Sequence, residues 1–108
     1  MRTHDDIDRR SLDLARAVVA AVDADPARRG LTRARATCER WRREINDTAA
    51  IREWAAILAQ PWETVRSVLL DESEEGRRLR QNNPFAGVLP PRVRWGIYRR
   101  HRHDPHAA

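Results

Sequence analysis

The spacing of apolar residues predicts an all-α protein: a single small domain of about five or six short helices with an extended PFAGVL connector before the last one. Three observations carry this. Apolar side chains recur at three- and four-residue intervals along most of the chain. Proline, asparagine and aspartate signals interrupt that pattern repeatedly, which keeps each helix short. The one apolar run without the period, Phe85-Ala86-Gly87-Val88-Leu89, is solitary, and one strand cannot make a sheet. A chain of 108 residues fits one domain.

The elements follow in order. Leu14, Ala15, Val18, Val19 and Val22 share a stripe, predicting a helix from about Ile7 to Ala24. Asp25-Pro26 breaks it, and Pro26 suits the first helical position after an Asp cap. Leu31, Ala34, Cys38, Trp41 and Ile45 continue the period to about Ile45, while Gly30 weakens the first turn and moves the expected start toward Thr32. Asn46, Asp47 and Thr48 are turn and cap residues before a third helix carrying Ile51, Trp54, Ala55 and Leu58. Pro61 is expected to open a fourth, with Trp62, Val65, Val68 and Leu69 on one side. Asp71 and Glu74 have capping-box spacing ahead of a short fifth helix, Glu75 to Gln81, that buries little besides Leu79. Asn82-Asn83-Pro84 stops it, and Phe85 to Leu89 reads as an extended, buried connector or a single edge strand. Pro90-Pro91 then opens the last helix, where Trp95 and Tyr98 share a face beside Val93 and Ile97. Residues 1–6 and 101–108 are expected to be flexible tails.

The 21 basic residues are all arginine, against 16 acids, for a net charge of +5. The charge alternates in blocks, and the segment from residue 76 onward holds eight arginines against a single aspartate. Guanidinium groups bind carboxylates and phosphates bidentately, so an acidic or phosphorylated partner is expected.

Catalysis has little to build on. His101, His103 and His106 lack metal-binding spacing on an ordered helix and read as part of a basic tail. Cys38 is the only cysteine and lies on an apolar stripe, where a thiol acts as a small hydrophobe. The acidic run Asp71 to Glu75 lacks the ligand alternation and central glycine of a calcium loop. The four glycines are isolated, so no phosphate-cradling loop forms. No enzyme activity, cofactor or metal is therefore expected. No apolar run approaches the ~20 residues that span a bilayer, and MRTHDDIDRR lacks the features of a secretory signal, so a cytoplasmic protein without membrane contact is expected. Trp41, Trp54 and Trp62 fall on apolar stripes and read as core anchors. Trp95 and Tyr98 lie amid Arg92, Arg94, Arg99 and Arg100, where partner contact and internal packing both remain open.

The stretch RLRQNNPFAGVLPPRVRWGIY, Arg78 to Tyr98, resembles a pattern found near the C-terminus of small bacterial proteins, RLRQ-S-S-PFAGVL-x-P-x-x-RW-x-IY. The upstream pieces WRREI, REW and ILAQPWE are similar to the same group in order and spacing, so the resemblance covers roughly residues 33 to 100. Those proteins look like the antitoxin halves of toxin–antitoxin modules whose toxin is a minimal nucleotidyltransferase of the AbiEii or MenT kind, acting on tRNA. Two departures stand out: Asn82 and Asn83 replace serines, and Pro90-Pro91-Arg92-Val93 replaces Thr-Pro-Glu-Glu. The second removes a threonine cap and puts Arg92 in a first turn that prefers acids.

The resemblance implies an inhibitor that binds a cognate toxin protein directly. On that reading Phe85 and Leu89 fix the connector, Trp95 and Tyr98 supply apolar anchors, and Arg80, Arg92, Arg94 and Arg99 pair with toxin carboxylates. Alternatives are a nucleic-acid-binding transcriptional regulator, an accessory subunit that positions a nucleotidyltransferase on RNA, or toxin binding through the acidic block of residues 47–75 instead.

Overall fold

The computed structural model describes residues 4–44 and 47–101. They form six helices: α1 (His4–Asp23), α2 (Arg29–Glu44), α3 (Ala49–Leu58), α4 (Trp62–Leu70), α5 (Glu74–Arg80) and α6 (Pro91–Arg100). No strand occurs among the described residues. The longest helix, α1, is the hub that α2, α4, α5 and α6 pack against, and α3 lies between α2 and α4. Residues 4–6, expected in a tail, already belong to α1; residues 1–3 and 102–108 lie outside the described residues.

The turn from α1 to α2 differs from its expected form. Pro26 does not open α2. The Asp25 carboxylate accepts from the backbone N–H of Ala27 at 3.1 Å and of Arg29 at 3.0 Å, which shapes a turn and delays the helix to Arg29. Arg28 takes a left-handed φ of 51°, and its guanidinium donates to the Val22 and Asp23 carbonyls at 2.8 and 3.0 Å. Those carbonyls belong to the last turn of α1, where that of Val22 also accepts from Asp25 N–H at 3.1 Å, so Arg28 caps the helix it has just left. Similar local chemistry sets the remaining boundaries. Thr48 caps α3 as expected, its hydroxyl accepting from Ile51 N–H. Pro61 opens α4 from the cap position, offering its carbonyl to Thr64 and Val65 N–H. Ser73, not Asp71, caps α5 by accepting from Gly76 N–H, while the Asp71 carboxylate accepts from Ser73 N–H one turn earlier.

The core gathers α1 side chains Ala15, Val18, Val19 and Val22 with Leu58, Val65 and Leu69. Trp54 and Trp62 are buried there; Trp41 packs against the core but is only half-buried. Cys38 is buried, with Sγ donating to the Ile51 carbonyl at 3.5 Å, and burial pushes its thiol pKa up, away from reactivity.

The connector is not extended. Residues 84–88 curl through consecutive turns: Asn83 Oδ1 accepts from Phe85 N–H at 2.8 Å, and Val88 N–H donates to the Phe85 carbonyl at 3.0 Å. That curl drives Phe85 between two indoles, edge-on to Trp54 at 6.5 Å and tilted against Trp62 at 6.4 Å between centroids. Burial of this phenyl ring rewards the turn, which an extended run would not achieve.

Candidate binding site around the last helix

Helix α6 opens at Pro90, whose carbonyl accepts from Val93 and Arg94 N–H, and its spacing sorts the expected site residues onto two faces. Arg92, Trp95 and Arg99, three and four positions apart, face outward together, and all three are exposed. Trp95 is 63% exposed, the most exposed large apolar side chain described. None of the ion pairs formed among the described residues involves Arg92 or Arg99.

Arg94 and Tyr98 turn the other way, toward α1. Ile97 beside them is buried and pins the helix down. The Tyr98 ring meets Trp95 edge-on at 6.0 Å and carries the Arg10 guanidinium over its face, 5.4 Å from the centroid. One turn further, His101 Nε2 lies 2.6 Å from Asp13 Oδ2, clasping the end of α6 to the middle of α1.

Between α1, α5, the connector and α6 lies a cleft of about 370 Å³. Its apolar walls are Leu14 and Val18 of α1, Phe85 and Leu89 of the connector, and Tyr98; its cationic lining includes Arg10, Arg80 and Arg94. Phe85 and Leu89 are interior residues that shape the cleft from behind.

Arg80 is the unusual member, only 5% exposed. One terminal nitrogen donates to the Leu69 carbonyl at 3.2 Å and to the Asp71 carbonyl, both at the C-terminal end of α4. That helix has no basic residue in its own last turn, so a guanidinium from α5 satisfies its orphan carbonyls. Burial pushes the Arg80 pKa down, partly countered by Asp8 and Asp71. The Nε of Arg80 is buried without an acceptor, and so is the Nε of Arg94, whose Nη1 reaches the Ala86 carbonyl only at 3.5 Å. Asp8, an acid of this lining, is already 3.6 Å from Arg77.

The sequence reading missed Arg10, Leu14 and Val18 as cleft residues. The available signal was on α1, where Ile7 extends the stripe of Leu14 and Val18 toward the N-terminus and stays exposed at the rim.

Neighbouring arginines serve the scaffold. Arg78 bridges Glu53 of α3, at 2.7 and 3.0 Å, and Glu75 of its own helix, which holds the Glu53 carboxyl below its usual range. Among the described residues, no group of three or more His, Cys, Asp or Glu side chains is placed to hold a metal ion, and no helix is long and apolar enough to cross a membrane. His103 and His106 lie outside the described residues. No protein-family model, curated protein or solved structure matches the chain.

Proposed function

We propose that the protein is a non-catalytic binding subunit that neutralises a partner enzyme, an antitoxin acting on a nucleotidyltransferase toxin. The observation that carries this reading is the outward face of α6, where an indole stands exposed between two arginines that join none of the ion pairs formed among the described residues. Tryptophan and arginine dominate the energetic centres of protein interfaces, and an exposed indole costs solvation unless something covers it. The flanking positive charge fits an acidic surface, such as the carboxylate-lined cleft with which a nucleotidyltransferase holds metal and triphosphate. Occupying that cleft denies it substrate. The resemblance of residues 78–98 to antitoxin sequences agrees with the reading.

The test is neutralisation in cells that co-express the protein with the product of the adjacent gene. Arg92→Glu, Trp95→Ala and Arg99→Glu together should abolish rescue and co-purification while leaving the melting temperature unchanged. Full rescue by the triple variant would dismiss the reading.

A second reading, a nucleic-acid-binding regulator, draws on α2. Arg29, Arg33, Arg40 and Arg43 are exposed along the side opposite the buried Leu31, Ala34 and Cys38. Four phosphate contacts would give log K a slope of roughly −3.6 against log salt. Duplex binding with that slope, lost on substituting these arginines, would favour the regulator.

A further inference from the structure

The cleft between α1, α5 and α6 faces inward from the partner-binding surface and has a chemistry of its own. Arg80 is a buried cation whose hydrogen bonds go to neutral carbonyls, and it joins none of the ion pairs formed among the described residues. Asp8 and Asp71 compensate this buried charge only in part, and the remaining cost is recovered when an anion arrives. Arg94 lines the same cleft with its own Nε lacking an acceptor. Arg10, fixed over the Tyr98 ring, adds a third cation to the lining. Asp8 also lines the cleft, but Arg77 holds it. The rest of the lining is mostly hydrocarbon and aromatic ring, with Ser11, Gln81 and Asn83 as its uncharged polar members. A volume of about 370 Å³ lies at the lower end of the range for small-molecule sites, roughly 300–1,000 Å³.

We propose that this cleft binds a small amphipathic anion free in solution, its carboxylate or phosphate beside Arg80 and Arg94 and its apolar body against Leu14, Phe85, Leu89 and Tyr98. The ligand contacts three elements at once, so it locks α5 and α6 onto α1 and stabilises the fold by mass action. The inference goes beyond the partner-binding reading and stands independently of it, since it uses the opposite face of α6.

The test titrates the full chain with naphthoate and with naphthyl phosphate, against naphthalenemethanol as the neutral counterpart and inorganic phosphate as the anion without a body. Binding is read from the melting temperature and from methyl shifts of Leu14 and Leu89. At least one aromatic anion should bind saturably, raise the melting temperature and shift both methyls; the two anions together reveal whether carboxylate or phosphate is preferred. Naphthalenemethanol and inorganic phosphate should each bind at least roughly tenfold more weakly. Arg94→Gln should weaken the anion by a similar factor, while Arg40→Gln on α2 should not. Equal binding of the neutral compound, equal binding of bare phosphate, shifts confined to other methyls, or no binding by either aromatic anion would each overturn the proposal. The wild-type shifts decide the matter even if the Arg94 variant does not fold.

Discussion

The indole nitrogen of Trp54 donates to the main-chain carbonyl of Leu79 at 2.8 Å, fully inside the protein. This bond joins α3 to the last turn of α5 and places Arg80, the next residue, against the end of α4. Trp54→Phe should therefore cost more than its lost volume: the lost hydrogen bond accounts for about 0.5–1.5 kcal/mol, the Leu79 carbonyl keeping its second bond from Asn82 N–H at 3.2 Å. Trp54→Ala should cost about 3–5 kcal/mol. Urea unfolding measures both, and a Phe variant as stable as the parent would contradict the role assigned to the bond.

Two glycines in helices should respond to alanine with opposite signs. A Cβ on Gly76 would lie 2.0 Å from the Asp71 carbonyl oxygen, a main-chain atom that cannot move aside cheaply, so Gly76→Ala should destabilise by at least about 1–3 kcal/mol. A Cβ on Gly96 meets nothing within 4 Å, so Gly96→Ala should stabilise α6 by about 0.5–1 kcal/mol through helix propensity. Thermal melts of the pair check both signs.

Trp95→Ala separates binding from folding. With the side chain 63% exposed, its removal should leave the melting temperature nearly unchanged yet reduce partner affinity by at least about 2 kcal/mol, the scale of an interface hot spot. Calorimetric titration against the partner provides the measurement, and unchanged affinity would remove Trp95 from the interface.

Acid should weaken the fold through Asp23. Its carboxylate accepts from the Trp62 indole at 2.8 Å and from Arg66 at 3.0 Å, and these bonds hold its pKa below the ordinary 3.8. A depressed carboxyl pKa stabilises the native state above the unfolded value and loses that contribution as pH falls through the folded one. Asp25, Glu53 and Asp71 are shifted in the same direction, so the acid limb has several contributors. Asp23→Asn should flatten that limb in unfolding measured from neutral pH to about 3. A limb of unchanged steepness would show that the Asp23 contacts contribute nothing.

Much of this fold was legible because periodicity is a strong signal in helices. Trp54, Trp62 and Leu69 sit where the stripes put them, and Thr48 caps where its position predicts. Local turn chemistry was harder to read. Asn83 before a proline signals a turn, yet whether the following apolar run curls or extends depends on the space left between Trp54 and Trp62, a tertiary property. Sequence alone marks Arg80 as a partner contact because arginine is rarely buried and a seven-residue helix shows no stripe. Its burial follows from α4 ending in carbonyls without a basic residue nearby, which only the packing of α5 against α4 reveals. The division of α6 into an outward triad and an inward pair was implicit in the spacing of Arg92, Arg94, Trp95, Tyr98 and Arg99, but which side faced α1 was not.

The clasp between Asp13 and His101 joins residues 88 positions apart. Closing so long a loop costs more conformational entropy than the neighbouring pairings of α2 with α3 and α3 with α4, whose partners are adjacent along the chain. The docking of α6 should thus be a late step in folding, made onto a surface that α1 to α5 have already assembled. Substitutions at Ile97 and Tyr98 should accordingly speed unfolding without slowing folding in stopped-flow measurements, the final wall of the cleft being also the first to come away.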